Sequence, residues 1–298
     1  MKKYIQQLTI EYQKRTPWTP VYGLVRSLLA LGTFLTLVFN DNQSLFLSIE
    51  RYLNHESVFS NTFLHQANLF LLFGVKLWIG KSIAILILVL VMSGWRPAFT
   101  GLLHFWVAIS FSTLSGTIDG GDTITSILTF FLIPVCLTDN RKSHWVYKTV
   151  EYDPYVTLFV WSIFSVIRLQ ICIIYLHSGI DKLRIEEWTN GTCTYYWFTN
   201  NIYGVAEWFR PTMIKIMSLP VVVVVITWGT IIFEIFLGMA ILMKRNQFNW
   251  KVLLLLGLLF HLGIVLIFGL VSFFMAMASC LILYLVPMDY IRSPKKQV

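Results

Sequence analysis

The stretch VVVVVITWGTIIFEIFLGMAILM, Val221–Met243, carries a single charged side chain, Glu234, in an otherwise apolar run. A bilayer core about 30 Å thick is crossed by roughly 20 residues of helix at 1.5 Å per residue, so this run is long enough to span it. A second apolar stretch, Val252–Pro287, follows after a break that holds Lys244, Arg245 and Lys251. The whole chain agrees with this reading. Of its 298 residues 56% are hydrophobic and 13% charged, the balance of a membrane protein rather than of two soluble domains.

Working outward, the apolar periodicity predicts an all-α membrane protein, a polytopic bundle of about eight transmembrane helices. The spans fall near residues 21–39, 80–95, 99–115, 123–138, 155–178, 219–243, 252–270 and 271–287. This gives an N-terminal tail at 1–20, a transmembrane domain at 21–287 and a C-terminal tail at 288–298. The first run is not trailed by a small-x-small cleavage site, so it reads as a retained span and not a signal peptide. The net charge of +8 follows the topology. With both termini cytoplasmic, the inner segments collect Lys2, Lys3, Lys14, Arg15, Arg96, Arg141, Lys142, Lys148, Lys244, Arg245, Lys251, Arg292, Lys295 and Lys296, and the outer ones hold about half as many basic residues. No soluble basic module remains once the spans are removed, which excludes a nucleic-acid partner and leaves membrane lipids as the surroundings.

Two longer outward segments interrupt the spans. Asn40–Gly80 contains VFSNTFLHQANLFLLFGVKLW, too polar in its first half to span and suited to the interface or to re-entry. Thr192–Met217 is dense in tyrosine, tryptophan and phenylalanine, as expected of a headgroup-level belt. Both are expected on one side, where they would roof a pocket. Cys136, Cys172 and Cys280 fall inside spans and Cys193 in an outward loop, a pattern that offers no disulfide framework.

The chemistry-bearing residues gather in YLHSGIDKLRIEEWTNG, Tyr175–Gly191, where the fifth span should leave the membrane. His177 and Asp181 are four apart and share a face of a continued helix, with Lys182 beside it. A lysine at such a boundary loses hydration and can serve as a base; equally, Lys182 and Arg184 can snorkel to headgroups and pair with Glu186 and Glu187. TIDGGDTI, Thr117–Ile124, faces the same side. There Gly120 and Gly121 allow special backbone conformations, Asp122 can cap the fourth span, and Asp119 or Asp122 can meet Lys182. Arg168, Glu234 and His261 lie in mid-span, where a pairing of Arg168 with Glu234 is the natural expectation and His261 is either a core histidine or a site residue. Arg26 is expected to snorkel inward. No HExxH, zinc-deaminase, GxGxxG or P-loop pattern occurs, so neither a metal nor a nucleotide cofactor is indicated.

The pattern Tyr175-x-x-Ser178-Gly179-x-x-Lys182-Leu183, followed by Trp188 and Gly191, resembles the signature of the horizontally transferred transmembrane (HTTM) domain family, best known from the vitamin K-dependent γ-glutamyl carboxylases. IDGGD, Glu234 and His261 also resemble that family's recurring positions. The resemblance implies that Lys182 is a base and that a quinone-type lipid cofactor is possible. The carboxylases carry a large extra-membrane portion after the bundle, and this sequence ends eleven residues beyond Pro287, which puts glutamate carboxylation in doubt. In size and loop chemistry the chain is more similar to the membrane B components of bacterial sporulation-delaying-protein toxin systems. That resemblance implies a maturation factor for a secreted antimicrobial peptide, acting on a peptide precursor with a soluble partner protein. A quinone-linked membrane enzyme and a non-catalytic scaffold or transporter are the alternative readings.

Overall fold

In a computed structural model, residues 16–46, 66–74, 76–115, 120–146, 153–243 and 247–288 are described. They are helical with no strands, apart from one isolated bridge between Trp95 and Ser143. The helices are α1 (Pro20–Phe39), α2 (Leu77–Met92), α3 (Pro97–Leu114), α4 (Gly120–Leu137), α5 (Pro154–Lys182), the short α6 (Cys193–Thr199) and α7 (Arg210–Met217), α8 (Pro220–Met239), α9 (Gln247–Phe268) and α10 (Val271–Leu285). Each expected span coincides with a helix. Six are long and apolar enough to cross a membrane, while α2 and α10 are shorter apolar helices of 16 and 15 residues. The second span ends earlier than expected, at Met92, because the chain turns at Gly94, whose φ is +81°. A Cβ on Gly94 would lie 2.6 Å from the Trp145 ring, so both conformation and space require glycine. The fifth helix runs past Gly179 to Lys182.

The chain forms two compact units. The first comprises the residues up to Ser165 with Val271–Leu283; the second comprises Val166–Leu270 with Tyr284–Val286. In the first unit α1 packs on α2, α2 on α3 and α3 on α4. Its core gathers Leu37, Leu45, Phe46, Phe70, Leu88 and Phe111. The described part of the polar-apolar segment, Gln66–Gly74, enters this core. Leu69 and Phe70 are buried, and the Asn68 amide donates to the Ser110 carbonyl at 2.8 Å. The preceding residues of that segment, 47–65, lie outside the described residues.

Arg26 does not snorkel. It is 1% exposed and donates to His144 Nδ1 and to Thr100 Oγ1, both at 2.9 Å. A guanidinium only donates, so His144 Nδ1 accepts and its proton sits on Nε2, 3.4 Å from Ser27 Oγ. Arg141 and Asp139 make a buried two-pronged pair, Nε to Oδ1 at 2.8 Å and Nη2 to Oδ2 at 2.7 Å, and Arg141 also donates to the carbonyls of His144 and Val146. The segment after α4 is thereby pinned under α1 and α3. An arginine one or two turns into a span reads as a snorkelling group until the loop that accepts its bonds is seen, which is why the sequence misleads here.

Replacing His144 by leucine leaves the buried Arg26 guanidinium short of an acceptor and is expected to cost about 2 kcal/mol, read as a fall in thermal midpoint of the full chain in detergent. Burial, with Arg26, Arg141 and His104 nearby, holds the His144 imidazole down to about 3. The folded state therefore resists a proton that the unfolded chain takes up below its ordinary value of 6.5. Stability is predicted to fall as pH drops from about 6.5 toward 3, and this component vanishes in His144→Leu.

Candidate functional site at the end of helix α5

On α5, Tyr175, Ser178 and Lys182 are spaced three and four apart and so form one stripe. Two glycines let the facing helix come close. A Cβ on Gly179 would lie 2.7 Å from Ile235 Cγ1, and one on Gly238 would lie 2.6 Å from Leu176 Cγ. Small residues at a crossing allow backbones to approach in a membrane, where no hydrophobic force between helices assists. The approach brings Glu234 on α8 to Lys182. Lys182 Nζ donates to Glu234 Oε2 at 2.6 Å and to Ser178 Oγ at 2.8 Å, and Ser178 Oγ donates to the same carboxylate oxygen at 3.1 Å. The two charged side chains are 18% and 11% exposed. The Trp188 ring lies 5.2 Å from Nζ, a cation–π distance, on a short turn, Glu186–Thr189, that folds back after α5.

One turn back along the stripe, Tyr175 Oη and His261 Nε2 on α9 are 2.9 Å apart, and the two residues are 1% and 2% exposed. His261 is thus a buried histidine joined to α5, in the same unit as Lys182. His177 and Asp181 do share a face, paired at 2.8 Å, but their side chains are 73% and 37% exposed and Asp181 also meets Arg184 at 3.3 Å. They form the rim of the site.

Glu234 does not pair with Arg168. Arg168 Nε donates to the Tyr284 carbonyl at 3.2 Å, and Lys182 takes the carboxylate instead of meeting Glu186 or Glu187. Fourteen residues separate Arg168 from Lys182, about 21 Å of helix, and Glu234 is at the Lys182 level. Asp119 lies outside the described residues. Asp122 belongs to the first unit, buried in the first turn of α4 rather than at its cap position, where its charge suits the helix dipole. Gly121 is helical, and a Cβ there would lie 2.6 Å from the Phe273 backbone, so that glycine serves packing rather than a special turn.

The aromatic segment lies beyond the ion pair along α8. Thr194 Oγ1 donates to the Val223 carbonyl at 3.2 Å and is 2.7 Å from Thr227 Oγ1, with Thr227 about 10 Å up the helix from Glu234. Phe198, Val205, Met213, Met217 and Val223 make a small core, while Tyr196, Trp197, Tyr203 and Trp208 are exposed. Cys193 is a free thiol, and its burial pushes its pKa up, so it has the character of an inert packing residue. No group of three or more metal-ligating side chains occurs among the described residues. The sequence reasoning missed Ser178 and Trp188 as direct partners of Lys182. Their spacing was visible, but nothing in it said which way the chain turns after α5.

The chain is 37% identical over 274 residues to the sporulation-delaying protein SdpB of Bacillus subtilis, covering 92% of this chain and 83% of that one. The chain belongs to the SdpB family. It is also 34% identical over 294 residues to YitO, an uncharacterized protein of the same organism, covering 97% of this chain and 92% of YitO. No family model matches the chain, and no solved structure matches it. The wider HTTM resemblance therefore stands on the Tyr175–Gly191 motif.

If the two glycines set the site, Gly179→Leu should lower the thermal midpoint and disrupt function by forcing α5 off α8. The cost expected for an overpacked contact is about 1–3 kcal/mol. Gly229→Ala, on α8 with nothing within 4 Å of its would-be Cβ, should be neutral or slightly stabilising in the same melt.

Proposed function

We propose that this chain is an integral membrane factor for the maturation of a secreted antimicrobial peptide toxin, working with a soluble partner protein on a peptide precursor. The observation that carries the reading is the similarity to SdpB over nearly the whole chain, which spans both units. The Lys182–Glu234 pair supports a chemical role at the end of α5.

In this proposal Lys182 is the reacting base and Glu234 its proton partner. Moving one proton from Nζ to Oε2 across the 2.6 Å contact turns an ion pair into a neutral amine and a carboxylic acid, both tolerated in apolar surroundings. The amine then takes a proton from the substrate and is again an ammonium, held by Ser178 and the Trp188 face. Tyr175 and His261 fix the lower part of the stripe, His177 and Asp181 form its outer rim, and Asp119 and Asp122 are further candidates on the segment that opens α4. The orientation with both termini in the cytoplasm puts the site toward the side from which a secreted peptide leaves.

Mass spectrometry of the peptide secreted by cells carrying precursor, partner and this protein tests the assignment, at matched membrane levels. Lys182→Ala should cut mature peptide by at least about 100-fold. Lys182→Arg should fail equally, because a guanidinium keeps the charge but cannot give up its proton. Maturation restored by arginine would make the residue an anchor, and maturation unaffected by alanine would remove Lys182 from the function.

A further inference from the structure

Where α2 gives way to α3, the first unit carries two exposed cations on one fixed platform. Two connecting segments make it, residues 93–96 before α3 and residues 139–146 after α4. An antiparallel bridge joins Trp95 to Ser143, with the Arg96 N–H donating to the Lys142 carbonyl and the His144 N–H to the Gly94 carbonyl, each at 3.0 Å. In that register Arg96 stands directly across from Lys142. The Trp145 indole adds a bond to the Met92 carbonyl at 3.0 Å, and Arg141, paired with Asp139, holds the second segment through the carbonyls of His144 and Val146.

Two features of the platform are unfavourable for the protein alone. Like charges directly opposite each other on paired segments repel, and Arg96 and Lys142 are both exposed, with no ion pair to either among the described residues. The nearby carboxylate, Asp139, is taken by Arg141. Arg96 also has a φ of +39°, in the left-handed region, immediately before Pro97. Glycine adopts such a backbone freely and arginine does not, so the arginine side chain is carried there at a cost. The other two cations of this neighbourhood, Arg26 and Arg141, are buried with their hydrogen bonds made. An anion set between Arg96 and Lys142 turns their repulsion into attraction. The surroundings name its source. Trp95, Phe99 and Trp145 are 48%, 54% and 42% exposed, with Trp95 and Phe99 edge to face at 6.1 Å. Indole rings beside cations at the ends of apolar helices suit headgroup depth, and the positive-inside rule puts this end at the inner leaflet, whose anionic headgroups attract basic residues.

We infer that Arg96 and Lys142 form a surface binding site for the phosphate of an anionic phospholipid, with Trp95, Phe99 and Trp145 seated among the headgroups around it. Arg96 offers a planar fork to the phosphate oxygens, and Lys142 an ammonium from across the bridge. The site lies within the first unit and is independent of the chemistry assigned to Lys182. Because His144, the acceptor for Arg26, follows Lys142 by two residues, a lipid held here also steadies the segment on which the buried arginine depends.

The test uses the full chain purified in a neutral detergent at low salt. Retained lipid is counted by native mass spectrometry, and the thermal midpoint is measured alone and with phosphatidylglycerol, phosphatidylcholine or inorganic phosphate. Phosphatidylglycerol should bind and raise the midpoint, and phosphatidylcholine should do so far less. Lys142→Gln and Arg96→Gly should each weaken phosphatidylglycerol binding about fivefold, the effect of one basic residue at an anionic membrane surface. In detergent alone the same variants should melt no lower than the parent, because each removes a repulsion and Arg96→Gly also relaxes the left-handed backbone. Lys142→Gln alone decides the matter if Arg96→Gly does not fold. Lys215→Gln, an exposed charge removed in the second unit, should change neither reading. Equal binding of the two lipids, or phosphatidylglycerol binding unchanged in Lys142→Gln and in a folded Arg96→Gly, would overturn the proposal. Variants that melt lower by the same amount with and without lipid would also overturn it and make the two cations structural. Stabilisation by inorganic phosphate equal to that by phosphatidylglycerol would overturn the lipid assignment and make the ligand a free phosphate.

Discussion

A charge carried into a bilayer on a helix must find its partner inside the protein, because neither water nor lipid tails will supply one. In the second unit that constraint is met by the contact between Lys182 and Glu234, and the surrounding structure follows from it. The contact requires α5 to continue as helix past Gly179. It requires α8 to lie close enough for the carboxylate to reach, which the missing side chains of Gly179 and Gly238 allow. It also requires the chain to turn back after Lys182 so that Trp188 covers the ammonium. Such a partly buried pair is weak evidence for stability, since desolvation offsets much of the attraction.

The first unit solves the same problem differently. Among the described residues Arg26 donates to a neutral imidazole and a hydroxyl rather than to a carboxylate, and the nearby Asp139 is engaged by Arg141. The polar groups here hold a connecting segment rather than two helices. That segment, Asp139–Val146, closes onto the turn between α2 and α3 through the Trp95–Ser143 bridge and the bond from the Trp145 indole to the Met92 carbonyl. One chain thus uses buried charge as a clamp in one unit and as a candidate reacting group in the other. Burial alone does not tell these uses apart; partner type and position on the helix do.

Much of the architecture was legible in the sequence because apolar length is a one-dimensional property. Val221–Met243 announced a span without reference to any other part of the chain, and each expected span is a helix. The pairings were less legible because they depend on how far each helix continues and which faces meet. Reading the fifth span as ending near residue 178 left Lys182 on a boundary, and reading Arg168 and Glu234 as both mid-span made them natural partners. Four more residues of helix, and two glycines whose role is visible only against Ile235 and Leu176, reverse that choice. The glycine pair at 120–121 misled in a similar way, suggesting a special backbone conformation where Gly121 is instead helical and lets α4 pack against the backbone at Phe273. That His177 and Asp181 share a face was legible because helical spacing alone determines it, and the structure adds that they pair.

The measurement that bears most directly on the account is a double-mutant cycle on the pair at the end of α5, read from the thermal stability of the full chain in lipid nanodiscs. Lys182→Met, Glu234→Gln and the double variant are compared with the parent. The account predicts strong coupling, with the double variant more stable than the sum of the single changes implies by about 1–3 kcal/mol, as for side chains in direct contact. Additive effects would mean that the two groups do not interact, and the site proposed around Lys182 would lose its foundation.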